Sequence, residues 1–209
     1  MVSEMVFLLA TNNPGKSKEI RPLFEEAGLK LISLADLGLG FEAAEDGDTF
    51  THNAIQKATE TAAYLKEHGH NFAIIADDSG LEIDALDGEP GVDSALYMGR
   101  ETPFTVKCQN LIGRLTGIPG DARTARFICV IACVWPDGST ITTEASIEGR
   151  ITHEISGEDG FGYDPIFFYP PFKKTMAQMS KDEKNAISHR GQAIQKMIGL
   201  MIDATSGNK

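Results

Sequence analysis

Val6-Phe7-Leu8-Leu9-Ala10 is an unbroken apolar run with no polar alternation. A strand of that kind must be covered on both faces, which places it at the centre of a sheet with helices on either side. The next stretch, Thr11-Asn12-Asn13-Pro14-Gly15, is small and polar, and beyond it Ile20, Leu23, Phe24 and Ala27 recur at helical spacing. Gly28 stands where a C-terminal cap belongs. Proline within a helix removes a backbone donor and crowds the preceding turn, so Pro22 predicts a kink or a late start.

Strands and helices go on alternating. A second helix is expected from Thr49, with Ala54, Ala58, Ala62 and Leu65 on one stripe and Lys57 on another face, ending before Gly69. Phe72-Ala73-Ile74-Ile75-Ala76 reads as a second buried strand, and Leu81, Ile83 and Ala85 alternate with Glu82 and Asp84 as a strand with one wet face. Thr102-Pro103 opens a helix whose stripe is Phe104, Cys108, Leu111 and Leu115. Ala125 to Trp135 and Ile141 to Ile147 form a hairpin across Pro136-Asp137-Gly138-Ser139, which makes the sheet mixed. Ser180 and Glu183 have capping-box spacing, and Ile194, Met197, Ile198 and Met201 form the final stripe. The expectation is one α/β domain over 1–209, a central mixed β-sheet flanked by helices.

A net charge of -11 argues against a protein held on nucleic acid or an acidic membrane by long-range attraction. The longest apolar run, Phe127 to Trp135, is far short of the ~20 residues that span a bilayer. With no charged segment followed by an apolar stretch at the start, a cytoplasmic location is expected. Cys108, Cys129 and Cys133 lack metal-ligand spacing and read as reduced core thiols.

Four clusters carry chemistry. Asp77-Asp78-Ser79-Gly80 follows a buried strand, and alternation along extended backbone sends the two carboxylates to opposite faces, so one can coordinate a metal while the other takes a proton. On its own this tetrapeptide reads more readily as a polar turn with solvated acids, and the rest of the chain has to overturn that reading. Thr11 to Lys16 leaves backbone N–H groups at a helix start, where an anion is favoured, and Lys16 adds a charge. Glu45-Asp46-Gly47-Asp48-Thr49 precedes the helix bearing Asn53 and Lys57, four residues apart on one face. A glutamate there with an aspartate from Asp77-Asp78 suits magnesium, which takes oxygen ligands and keeps several waters. Gly160-Phe161-Gly162-Tyr163-Asp164-Pro165 lets a flat ligand approach the backbone and stack on a ring. Ser188-His189-Arg190-Gly191, with Lys184 upstream, offers directed donors to an acceptor-rich edge.

Taken together, T-x-N-x-x-K, E-x-G-x-T-F, A-D-D-S-G-L, F-G-Y-D-P and S-H-R-G closely resemble the inosine triphosphate pyrophosphatase family over Thr11 to Gly191. The resemblance implies hydrolysis of ITP, dITP or XTP to the monophosphate and pyrophosphate. It implies two lobes with the active site in a cleft between them, and a homodimer. By the same resemblance Thr11, Asn12, Asn13, Pro14, Gly15, Lys16 and Lys57 hold phosphate, and Ser79 contacts substrate. Glu45 with Asp77, Asp78 or both binds Mg2+, Asp78 being the proton acceptor. Phe161, Gly162, Tyr163, Asp164, Lys184, His189 and Arg190 form the base side. One departure stands out: the family's V-Y-S-A-R-Y is Val92-Asp93-Ser94-Ala95-Leu96-Tyr97 here, leaving Leu96 where an arginine is usual. A Maf-like pyrophosphatase and a catalytically silent nucleotide sensor are the rival readings.

Overall fold

The computed structural model describes residues 6–206. Seven strands and five helices follow one another as β1 (Val6–Leu9), α1 (Pro14–Glu26), β2 (Lys30–Ser33), α2 (Phe50–Glu67), β3 (Ala73–Ile83), α3 (Phe104–Arg114), β4 (Thr124–Val134), β5 (Thr140–Ile151), β6 (Phe167–Tyr169), β7 (Lys174–Thr175), α4 (Lys181–Ile187) and α5 (His189–Ser206). They form one sheet in the order β2-β1-β3-β4-β5-β6-β7. β1 runs parallel to both β2 and β3, while β6 is antiparallel to β5 and β7, so the sheet is mixed. The apolar run at Val6 is an inner strand, as its two-sided hydrophobicity requires.

The described residues divide into two compact units, one made of the chain up to residue 78 with 129–145 and the segment from 190 on, the other of 79–128 and 146–189. The core of the first packs Phe7, Leu9, Phe24, Ile75 and Ile131 with Ile194 and Met197 of α5. In the second, Leu81, Ile83, Leu111, Phe127, Phe167 and Met176 pack together. Burying apolar side chains at about 25 cal/mol per Å² is the main force holding each unit. All three cysteines are free and buried.

Two local expectations change. α1 begins at Pro14 and continues through Pro22, with no late start. Pro14 at the first helical position loses only an N–H that would be unpaired anyway, and Asn13 caps the end. In place of a strand, a polar turn and a second strand, β3 is a single strand that passes straight through Asp77-Asp78-Ser79-Gly80. The acids are therefore part of the ladder, and alternation does separate their side chains.

Candidate active site

In the first unit, the loop after β1 folds around its own side chains. Asn13 Oδ1 accepts from the N–H groups of Gly15 at 2.8 Å and Lys16 at 3.3 Å, while Thr11 Oγ1 accepts from Asn13 N–H at 3.1 Å. The Asn12 amide donates to the Phe41 carbonyl at 3.1 Å. Of the backbone donors expected to await an anion, those of Asn13, Gly15 and Lys16 thus already have an acceptor, and the positive group at this end is the Lys16 ammonium. It pairs with Asp77 Oδ1.

Asp77 has no exposed surface. Its other oxygen, Oδ2, accepts from Arg190 Nε at 3.0 Å and from the Cys129 thiol at 3.3 Å. Burial alone would raise this carboxyl, but Lys16, Arg190 and Lys57 outweigh it and hold it well below the usual carboxylate range. Arg190 in turn pairs through Nη1 with Glu19 Oε2 at 2.6 Å, so its guanidinium bridges α1 and β3. The sequence reading set Arg190 beside the base; the structure gives it two carboxylates within its own unit. Nothing local in the sequence signals Glu19, which lies 171 residues from Arg190.

Asp78 faces a different set of groups. Asn53 Nδ2 donates to its Oδ2 at 3.2 Å, and the Lys57 ammonium stands 3.7 Å from Oδ1. Lys57 also contacts Glu45 Oε1 at 2.5 Å and donates to the Asp77 carbonyl at 3.0 Å. Burial pushes Asp78 up to about 6, despite the opposing pull of Lys57 and Lys16. Lys57 shows the converse: burial would lower it, but Asp78 and Glu45 raise it above the usual lysine value.

Asn53 is the residue that sequence reasoning left out of the site. Besides holding Asp78, its Oδ1 accepts from Gly47 N–H at 2.8 Å, which ties the Glu45 loop to β3. A Cβ at Gly47 would lie 2.7 Å from Asn53 Oδ1 and from the His52 ring, so the close approach needs glycine. The helical spacing of Asn53 and Lys57 was the available signal.

The donor set suits a hard cation. Glu45 and Asp78 share a single ammonium between them, and two carboxylates with completing waters are what magnesium takes. Asp77 fits less well, because both of its oxygens face cations or a thiol. Among the described residues there is no group of three or more His, Cys, Asp or Glu side chains arranged for a metal.

In the second unit, Asp164 Oδ2 accepts from Phe161 N–H at 2.7 Å and from Lys184 Nζ at 2.5 Å. The Lys184 ammonium lies 4.9 Å from the centre of the Phe161 ring, a cation–π contact. Gly160 has φ +77°, and a side chain there would collide with the Asp164 carboxylate. His189 is buried with its ring stacked on Phe127 at 4.8 Å and 16°. Tyr163 is buried, Gly162 passes near Phe104, and Ser79 on β3 is half-buried. Phe161, Asp164 and Lys184 are thus brought together; Ser79 and His189 belong to the same unit, Arg190 to the first.

An α/β protein with paired acids on an inner strand, bridged to lysines from two helices, is the class that this fold and centre define. The chain belongs to the Ham1 family, whose sequence model matches residues 7–200. It is 45% identical to the dITP/XTP pyrophosphatase of Clostridium perfringens, over 91% of this chain and 94% of that protein. The dITP/XTP pyrophosphatase of Bacillus subtilis is also 45% identical, over 93% and 96%. Among solved structures, the Staphylococcus aureus Ham1 protein superposes with a TM-score of 0.82 at 38% identity, covering 95% of this chain and 99% of that one. The Mycobacterium abscessus nucleoside-triphosphatase / dITP/XTP pyrophosphatase gives a TM-score of 0.72 at 37% identity, covering 92% and 98%.

Proposed function

We propose that this chain hydrolyses non-canonical purine nucleoside triphosphates, dITP, ITP and XTP, to the nucleoside monophosphate and pyrophosphate. The observation that carries the reading is Glu45 and Asp78 sharing the Lys57 ammonium, in a chain so similar to dITP/XTP pyrophosphatases. Water attack at the α-phosphorus requires an oriented water, a proton acceptor and cations for the charge that develops on the departing pyrophosphate.

Asp78 orients the water and accepts its proton, using Oδ1 while Asn53 holds Oδ2. Lys16, at the end of the Thr11–Gly15 loop that Asn13 keeps compact, and Lys57, on α2, neutralise phosphate charge. Asp77, flanked by Lys16 and Arg190, stays ionised and fixes both cations. Glu45 and Asp78 would hold Mg2+, which when bound supplies Lewis acidity toward the phosphate oxygens. Phe161, Gly162, Tyr163, Asp164, Lys184 and His189 serve the base, with Ser79 as a further substrate contact. Hypoxanthine and xanthine present a 6-oxo acceptor to such donors, whereas the 6-amino group of adenine would leave them unpaired.

The whole chain would act as one nucleotide-processing domain, as a cytoplasmic homodimer with neither nucleic acid nor membrane as partner. No helix among the described residues is long and apolar enough to cross a bilayer. A panel of nucleoside triphosphates with magnesium, scored for monophosphate and pyrophosphate, tests reaction and specificity together. Equal turnover of ATP and dITP, or release of orthophosphate in place of pyrophosphate, would defeat the reading. Faster turnover of dTTP and UTP would favour the Maf-like alternative.

A further inference from the structure

The 3-10 turn Gly91–Ala95 in the second unit holds none of the residues given a role above. Yet three separate segments donate hydrogen bonds into two consecutive residues of it. Leu81 N–H, two residues beyond Ser79 on β3, donates to Ser94 Oγ at 2.8 Å. The Tyr163 hydroxyl donates to the Ser94 carbonyl at 2.8 Å. From α3, the Lys107 ammonium donates to the Ala95 carbonyl at 2.7 Å, with the lysine wholly buried. Ser94 Oγ completes the arrangement by donating to the Gly91 carbonyl at 2.6 Å.

Tyr163 has little surface left for a ligand. Only 4% of it is exposed, its hydroxyl points to Ser94, and its ring meets Phe104 edge-on at 5.2 Å and 84°. What Tyr163 can do is fix the backbone on either side of it. Phe161 and Gly162 precede it, and Asp164, which accepts from Phe161 N–H and Lys184, follows. A buried hydroxyl–carbonyl bond is directional and costly to leave unmade, so the direction of the Ser94 carbonyl sets where this loop can sit.

We infer that Ser94 is a positioning residue for base recognition: through Tyr163 it places the Phe161–Asp164 loop, through Leu81 it holds the strand carrying Ser79, and Lys107 locks the neighbouring carbonyl. The inference rests on the base-side assignment proposed above and adds to it a specificity determinant outside the base-side motifs.

The test compares Tyr163→Phe, Ser94→Ala and Ser94→Thr with the unaltered protein, which is first assayed with dITP and ATP. Tyr163→Phe removes the hydroxyl–carbonyl bond itself, whereas Ser94→Ala keeps that carbonyl and removes the two Oγ bonds that orient it. Each is expected to raise KM for dITP and to narrow the dITP-over-ATP ratio of kcat/KM by roughly tenfold. kcat should change less, and Ser94→Thr, which keeps the hydroxyl, should restore the ratio. Amide hydrogen exchange across Phe161–Asp164 is read without nucleotide and should quicken in Tyr163→Phe. Melting temperatures that fall while KM and the ratio stay put would reduce Ser94 to a purely structural residue and overturn the inference. Unaltered exchange in Tyr163→Phe would overturn it as well. Failure of the unaltered protein to act on dITP would instead count against the function, and the exchange result separates the two cases.

Discussion

Arg190 Nε lies 3.0 Å from Asp77 Oδ2, joining residues 113 apart in the chain, and neither side chain is more than 3% exposed. Removing one member of a buried pair leaves the other charge uncompensated, which costs about 3–5 kcal/mol. Asp77 keeps Lys16 as a partner, so Arg190→Ala should lower stability by the lower end of that range in a denaturant titration, and Asp77→Asn in the same chain should recover part of the loss. If the main task of Arg190 is to hold Asp77, the ITP-over-ATP ratio will stay constant. A narrowed ratio would return Arg190 to base reading.

Asp78→Asn keeps the shape and the Asn53 neighbour but removes the proton acceptor. Loss of a general base typically costs 10²- to 10⁴-fold, so turnover should fall by about that much with KM within a few-fold of the unaltered value. Steady-state kinetics with dITP decides it, and near-normal turnover would remove Asp78 from the mechanism.

Asn53 holds Asp78 and Gly47 at once. Asn53→Ala should leave a buried carboxylate oxygen and a backbone N–H without this partner, at a cost of about 1–3 kcal/mol each when unsatisfied. The expected outcome is lower thermal stability together with a reduced kcat. An Asn53→Ala protein with unchanged kcat would show that Asp78 needs no such support.

Burial raises Asp78 to about 6 in the metal-free chain. Its folded value lies above the unfolded one near 4, so the native state binds the extra proton between those values and gains stability as pH falls from about 6 toward 4. Above pH 6 the buried charge is a cost to folding, and Asp78→Asn should raise the melting temperature of the metal-free protein at pH 7–8. Activity has the opposite dependence, because the acceptor must be ionised: kcat/KM should rise with pH through the acid limb and level off. A bound cation would move that limb lower. Parallel melting and rate profiles from pH 5 to 8 check both signs.

Chelation by EDTA should abolish pyrophosphate release, and added magnesium should restore it. In the chelated protein the Lys57 ammonium still links Glu45 and Asp78, so unfolding should remain cooperative. Full activity in EDTA would exclude a divalent ion from the reaction.

The elements were legible because each is encoded within a few residues. The helical stripes of α2 and α3, the capping box at Ser180 and the hairpin turn after Trp135 follow from local periodicity and turn chemistry. Of the kink or late start expected from Pro22, the late start does not occur, because a helix preference summed over α1, with a buried Ile20-Leu23-Phe24 face, outweighs one lost hydrogen bond. Asp77-Asp78 by itself favoured a turn, since isolated acids after a strand resemble solvated ones until a partner strand pairs with them.

By itself, the sequence determined that this is an alternating α/β chain of the Ham1 type, with carboxylates and lysines at its motif positions. Only the tertiary structure decided the separate surroundings of the two aspartates: Asp77 between Lys16 and Arg190, Asp78 beside Asn53 and Lys57. Those pairings depend on which distant segments meet. Whether an acid sits low or is pushed to about 6 depends on burial and neighbouring charge, which short-range pattern does not encode.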